Sequence, residues 1–249
     1  MSNESTIETM PLKTGALIAG TLMALMASML GGCAETADEP VYPGRCQAPD
    51  GVDAAPKTIE GAMLLADSLP KPLSVSCFVE SLQRPMTVIG STDFISAQPA
   101  AGREAPRIFA IYDTLIISFV PDGDGSKVLE FAEERPNGLS VKAELKMPAT
   151  GPVTRQLPFE HILEPGGTTC GTCHAFEVLD PTIDYAEAYS SEAIRPAVSR
   201  TMRLSDLEVS AEECDPEATP DRCGIFDALF YRGEVRDGDF PRALPTIYD

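Results

Sequence analysis

Cys170, Cys173 and His174 stand together in residues 166–176, GGTTCGTCHAF, as a CxxCH. Thiols at this spacing lie about one helical turn apart and share one side of the backbone. An imidazole follows directly. Three chemistries are open to such a set. The thiols can pair as a disulfide, structural or redox-active. They can ligate zinc, with His174 and the only other histidine, His161, completing four ligands. Or both can bond covalently to one edge of a flat ligand whose metal the imidazole binds. No nucleophile–base set or carboxylate pair is recognisable elsewhere, so no catalytic residue is assigned and a carrier or binding protein is expected rather than a catalyst.

A thioredoxin-like site sets its cysteine pair between a strand and the start of a helix. Here LEPGGTT precedes the pair and reads as a loop. Structural zinc is uncommon in an oxidising compartment, where the N-terminus places this chain. The five residues 170–174 resemble the attachment signal of the c-type cytochromes. The resemblance implies one covalent haem c, with Cys170 and Cys173 in thioether linkage and His174 as proximal iron ligand. It does not extend to the small helical fold of that family. The motif lies two-thirds along the chain, after a β-rich stretch, and Pro181 shortens any helix that would follow it. His161, and Met202 as the one methionine after the motif, are the candidates for a sixth iron ligand. Their ordinary readings are a loop histidine and a core methionine.

Residues 15–30, GALIAGTLMALMASML, are apolar and uncharged. The run is shorter than the ~20 residues a helix needs to cross a bilayer. It ends in Leu30-Gly31-Gly32-Cys33, which resembles the lipobox of bacterial lipoproteins. That resemblance implies acylation of the Cys33 thiol and cleavage just before it. Residues 1–32 are then a signal peptide, 33–57 a Pro-, Ala- and Asp-rich tether, and 58–249 a β-rich globular domain carrying the CxxCH. Residues 1–10 carry Glu4 and Glu8 and no lysine, whereas a start at Met10 would set Lys13 ahead of the apolar run. Ala34, not an aspartate, follows Cys33. Among enteric lipoproteins this favours the outer membrane, so the expected location is lipid-anchored at a periplasmic face.

The chain has seven cysteines. One lipidated and two at the motif leave Cys46, Cys77, Cys214 and Cys223, an even remainder that suggests two disulfides in an exported protein. CDPEATPDRC is a proline-bearing loop suited to a Cys214–Cys223 bond, and Cys46–Cys77 follows by elimination. The count is the same if Cys170 and Cys173 pair with each other.

Net charge is −19 over 249 residues, with a pI near 4.4. Such a surface repels phosphates, which excludes nucleic acid as a partner. It keeps the protein soluble and steers basic protein partners toward it. The expected partner is a redox protein.

The motif must be held by something, and the pattern says mostly strands. Ile59, Ala62, Met63 and Ala66 predict a helix over 58–69, ended by Pro70 and Pro72. Leu73, Val75, Cys77 and Val79 alternate and predict a strand over 73–79. Residues 107–120 read as two strands turning near Asp113-Thr114, or one long bent strand. Turns follow at 121–126 and 136–138, around a short strand at 128–131. Leu139, Val141, Ala143, Leu145 and Met147 alternate inward, with Lys142, Glu144 and Lys146 outward. Near the C-terminus Ser210-x-x-Glu213 reads as a capping box for a short helix. Thr219-Pro220-Asp221 reads as the start of a longer one, with Cys223, Phe226, Leu229 and Phe230 as its buried stripe and Gly233 after it. The fold class expected is mainly β or α+β: an antiparallel, sandwich-like sheet with a few short helices and the C-terminal helix packed on it. The functional expectation is one-electron transfer by an exported, lipid-anchored haem protein. The alternative is a haem-free periplasmic lipoprotein with a β-rich binding domain and a CxxC disulfide.

Overall fold

Period-two alternation of β-branched and aromatic residues builds the longer strands of this chain. The computed structural model describes residues 46–94, 98–174, 176–241 and 244–246. The apolar N-terminal run, Cys33 and the first part of the expected tether lie outside them. In chain order the elements are α1 Ile59–Ser68, α2 Val75–Ser81, β1 Met86–Ser91, β2 Arg107–Tyr112, β3 Leu115–Phe119, β4 Val128–Glu134, β5 Leu139–Lys146, α3 Leu157–Glu160, β6 Leu163–Glu164, β7 Gly167–Thr168, β8 Val178–Leu179, β9 Tyr189–Glu192, β10 Thr201–Met202, α4 Leu204–Glu212, α5 Pro220–Phe230 and β11 Val235–Asp237.

Among the described residues nine strands form one sheet, in the order β10-β1-β2-β3-β4-β5-β9-β8, with β11 also on β1, and β6 and β7 form a separate hairpin. Every pairing is antiparallel except β1 with β11. The fold is mainly β. Register aligns Ala110, Ile117, Phe131 and Ala143 in one row across β2 to β5. All four are buried in a core shared with α1, α2 and α5. The β2–β3 hairpin turns at Asp113, whose φ is 57°, a left-handed conformation that Asp tolerates better than most side chains.

Residues 73–79 do not form a strand. They give α2, with the Ser74 hydroxyl accepting the Cys77 N–H at 3.1 Å as its N-cap. The helical signal is Val75, Phe78, Val79 and Leu82, at i, i+3, i+4 and i+7, all buried. The alternating set hid it because Cys77 is buried for another reason, its bond to Cys46. That bond and the packing of Ala48, Val52 and Ala55 against the core make residues 46–57 part of the body rather than of a tether. Cys214 is bonded to Cys223. Two cap readings change. Ser210 lies inside α4 and its hydroxyl donates to the Asp206 carbonyl. The Thr219 hydroxyl turns back to the Asp215 carbonyl and does not cap α5.

A polar network ties the sheet to both of its neighbours. Glu133 on β4 accepts the Ile59 N–H at 2.8 Å, at the positive end of α1. Arg135 pairs with Glu133 and, at 3.1 Å, with Asp180 between β8 and β9. Burial pushes the Asp180 carboxyl up, but donors on Ser190, Thr182 and Arg135 outweigh it and hold it down at about 2. The unfolded value is ~3.9. The folded pKa is the lower one, so this contribution is complete above pH ~4 and is lost as pH falls toward about 2. Urea midpoints of the wild type should therefore drop through that window, and those of Asp180→Asn should drop less steeply. Parallel pH profiles would contradict the assignment.

Candidate functional site

Strand alternation sends two sets of side chains to opposite faces. One set makes the core. The other includes Arg107 and Phe109 on β2, Ile116 and Ser118 on β3, Glu130 and Ala132 on β4, and Ser140, Lys142 and Glu144 on β5, and it lines a cleft. The chain folds back over this second face, so Lys142, expected to point into solvent, is only 7% exposed. Cys170, Cys173 and His174 close one wall of the cleft, and Ile194, Phe240 and Leu244 contribute to another. The depression, counting space open to solvent, is about 1210 Å³.

Local sequence sets the motif in place. Gly166, at φ 85°, turns the β6–β7 hairpin immediately before it. Residues Thr169–Thr172 then form one 3₁₀ turn, with the Thr168 hydroxyl accepting the Cys170 N–H at 3.1 Å. The Cys170 carbonyl accepts from both Cys173 N–H and His174 N–H, at 3.1 and 2.9 Å. Glu177 returns over the turn and accepts the N–H and hydroxyl of Thr168. A side chain at Gly171 would put its Cβ 2.6 Å from the Glu177 carboxylate, so a larger residue in CGTC would displace that carboxylate from Thr168.

Both thiols are free and half-buried, while the other four described cysteines are bonded. Burial pushes the Cys170 thiol up to about 11, and the Glu130 charge adds to this. Such a thiol is protonated at neutral pH. An oxidoreductase cysteine needs the opposite, a depressed pKa at a helix N-terminus or beside a cation. The His174 ring nitrogen Nδ1 lies 2.8 Å from the Glu192 carbonyl. A carbonyl only accepts, so Nδ1 carries the hydrogen. Burial lowers the His174 pKa to about 4, with the Lys142 charge helping. The ring is neutral, and Nε2 keeps its lone pair with no hydrogen-bond partner among the described residues.

Below the motif, Lys142 donates to the carbonyls of Ser140, Ser191 and Glu192 at 3.0 Å and to the Ser191 hydroxyl at 2.7 Å. Arg107 pairs with Glu130 and donates to the Ser118 hydroxyl, which donates to the buried Gln98. None of these was legible as site residues. A lysine on an alternating strand reads as solvent-facing, and the only hint was the run of small hydroxyl residues, Ser118, Ser140 and Ser191, on strands around it.

The structure does not gather the candidate sixth ligands. His161 follows α3 with Nδ1 3.0 Å from the Glu144 carbonyl, and Met202 is buried on β10 beside Gly90. Neither lines the cleft with His174. Among the described residues no three His, Cys, Asp or Glu side chains converge as a metal-binding group, so the zinc set with His161 is not assembled. Comparison of the chain with protein families, with curated proteins and with solved structures gives no match. The functional reading therefore rests on the residues themselves. Two free thiols one turn apart, on the lip of a mostly apolar cleft, fit covalent attachment to one edge of a haem. A neutral imidazole with its Nδ1–H fixed by a backbone carbonyl is in the tautomer that metal-binding histidines adopt.

Proposed function

We propose that the chain is an exported, lipid-anchored carrier of one covalent haem c that passes single electrons at the periplasmic face of a membrane, the outer membrane by its Ala34 signal. The carrying observation is the His174 ring. Its Nδ1–H is held by Glu192, and its Nε2 lone pair is free, directly after two unbonded thiols. Cys170 and Cys173 anchor the porphyrin edge, His174 supplies the proximal nitrogen, and Glu177 holds the turn that sets their spacing. The haem, when bound, supplies the one-electron couple. The apolar side chains of Phe109, Ile116 and Ala132 exclude water from one side of the cleft.

Surface chemistry supports a protein partner. Residues 156–194 contain seven acids and no Lys or Arg. Phe176, next to the motif, is 86% exposed. An apolar spot in an acidic field suits transient docking of a basic redox protein.

Two measurements test the reading. The protein purified from a host that matures c-type cytochromes should give the alkaline pyridine spectrum of a haem whose vinyl groups are saturated. A spectrum without haem would leave the CxxC-disulfide lipoprotein as the reading. Membrane attachment is tested separately. No described helix is long and apolar enough to cross a membrane. If Cys33 is the anchor, Cys33→Ala should move the protein from the membrane fraction to the soluble periplasmic fraction. A variant that stays with the membrane would require another anchor.

A further inference from the structure

We infer that Lys142 is a positioning residue that sets the reduction potential of this site through the Glu192 carbonyl, an inference that rests on the haem reading above. One oxygen joins the two side chains. The Glu192 carbonyl accepts His174 Nδ1–H at 2.8 Å and Lys142 Nζ at 3.0 Å. Lys142 also holds the Ser191 carbonyl and hydroxyl, so the end of β9 is pinned from below by one ammonium group. No carboxylate contacts that ammonium among the described residues; all four of its acceptors are neutral. Burial lowers its pKa to about 8, which leaves it protonated at neutral pH.

Two physical effects follow, and they share a sign. A buried positive charge near the iron disfavours the more positive ferric state, and in a dry interior it is weakly screened. An ammonium drawing on the same carbonyl also weakens that oxygen as an acceptor for Nδ1–H. The imidazole then has less anionic character and donates less to the iron. Both raise the potential. Among the described residues Lys142 makes no hydrogen bond to the thiols or to the His174 ring. It acts through its charge and through the peptide that orients His174.

The test uses the full chain with its haem. Lys142→Gln keeps an amide donor for the carbonyls and removes the charge. Lys142→Met removes both. Lys142→Arg keeps the charge. Spectroelectrochemistry at neutral pH should show midpoint potentials falling in the order wild type, Lys142→Gln, Lys142→Met, with Lys142→Arg close to wild type. The proton resonance on His174 Nδ1 should move in the same order, since the bond to Glu192 strengthens when Lys142 leaves it. A merely structural lysine would lower stability and leave both readouts in place. Haem-bearing Lys142→Gln with the wild-type potential would overturn the inference. A second measurement needs no variant. In the wild-type chain expressed without haem, nitrogen-15 spectra should show His174 as the Nδ1–H tautomer, and the Nε2–H tautomer would overturn the inference. A wild-type chain that takes no haem in a competent host but shows the Nδ1–H tautomer would sink the haem reading while leaving the Lys142–Glu192–His174 geometry intact.

Discussion

Arg135→Ala should lower the unfolding free energy by about 3–5 kcal/mol, the usual cost of removing one partner of a buried ion pair. The guanidinium serves two carboxylates, Glu133 and Asp180, whose side chains are 11% and 5% exposed. Deleting it leaves both charges buried together. Glu133 also holds the first N–H of α1, so the loss reaches the core side of the sheet. Asp180 holds the β8–β9 hairpin through Ser190 and Thr182, so the loss reaches the CxxCH side as well. The Arg155–Glu60 pair provides the control. Its side chains are 48% and 44% exposed, and Arg155→Ala should cost no more than ~1 kcal/mol. Denaturant unfolding of both variants checks this. An Arg135→Ala curve that overlays the Arg155→Ala curve would show that the network adds nothing.

Replacing Cys170 and Cys173 together with alanine should abolish covalent haem completely, because no other described thiol is free. The fold should survive. Both thiols are half-buried and unbonded, and such truncations usually cost ~1 kcal/mol or less. Single replacements should leave one thioether and a haem with one unsaturated vinyl group, seen as an intermediate pyridine spectrum. His174→Ala should act differently, through the iron's ligand field, giving poor maturation or an altered spectrum. Peroxidase staining of denaturing gels, with circular dichroism to confirm folding, reads all four variants. Full staining of the double variant would place the haem elsewhere or make its attachment non-covalent.

Strand alternation made the core side of β5 legible, because Val141, Ala143 and Leu145 are apolar for a reason visible along the chain. The other side was not legible. Lys142 is polar on a face that is exposed in most antiparallel sheets, and only the fold-back of residues 161–196 makes that face a second interior. Local pattern cannot carry such a long-range event. The same limit explains α2. Residues 73–82 contain both an alternating and a helical apolar set, and Cys77, the member that belongs only to the alternating one within α2, is bonded to Cys46. Within the site, the CxxCH triplet could be read from spacing alone. Its geometry could not, since Glu192 and Lys142, which set the tautomer and surroundings of His174, lie 18 and 32 residues away. The placement of the sixth-ligand candidates was illegible for the converse reason. His161 and Met202 were singled out by residue type, and packing set His161 against the β5 backbone at Glu144 and Met202 on β10 at the sheet edge.

The most direct measurement is the intact mass of the denatured protein, expressed with its own N-terminus in a host that matures c-type cytochromes. Haem held only by ligation leaves on denaturation, whereas thioether-linked haem stays. The expected mass is that of the chain cut before Cys33 with its lipid plus one haem, the haem mass being confined to a proteolytic peptide containing Cys170, Cys173 and His174. An exported, folded protein lacking the haem mass would contradict it. If the mass of that peptide were two hydrogens below that of the dithiol, Cys170 and Cys173 would be a disulfide and the electron-carrier reading would fall.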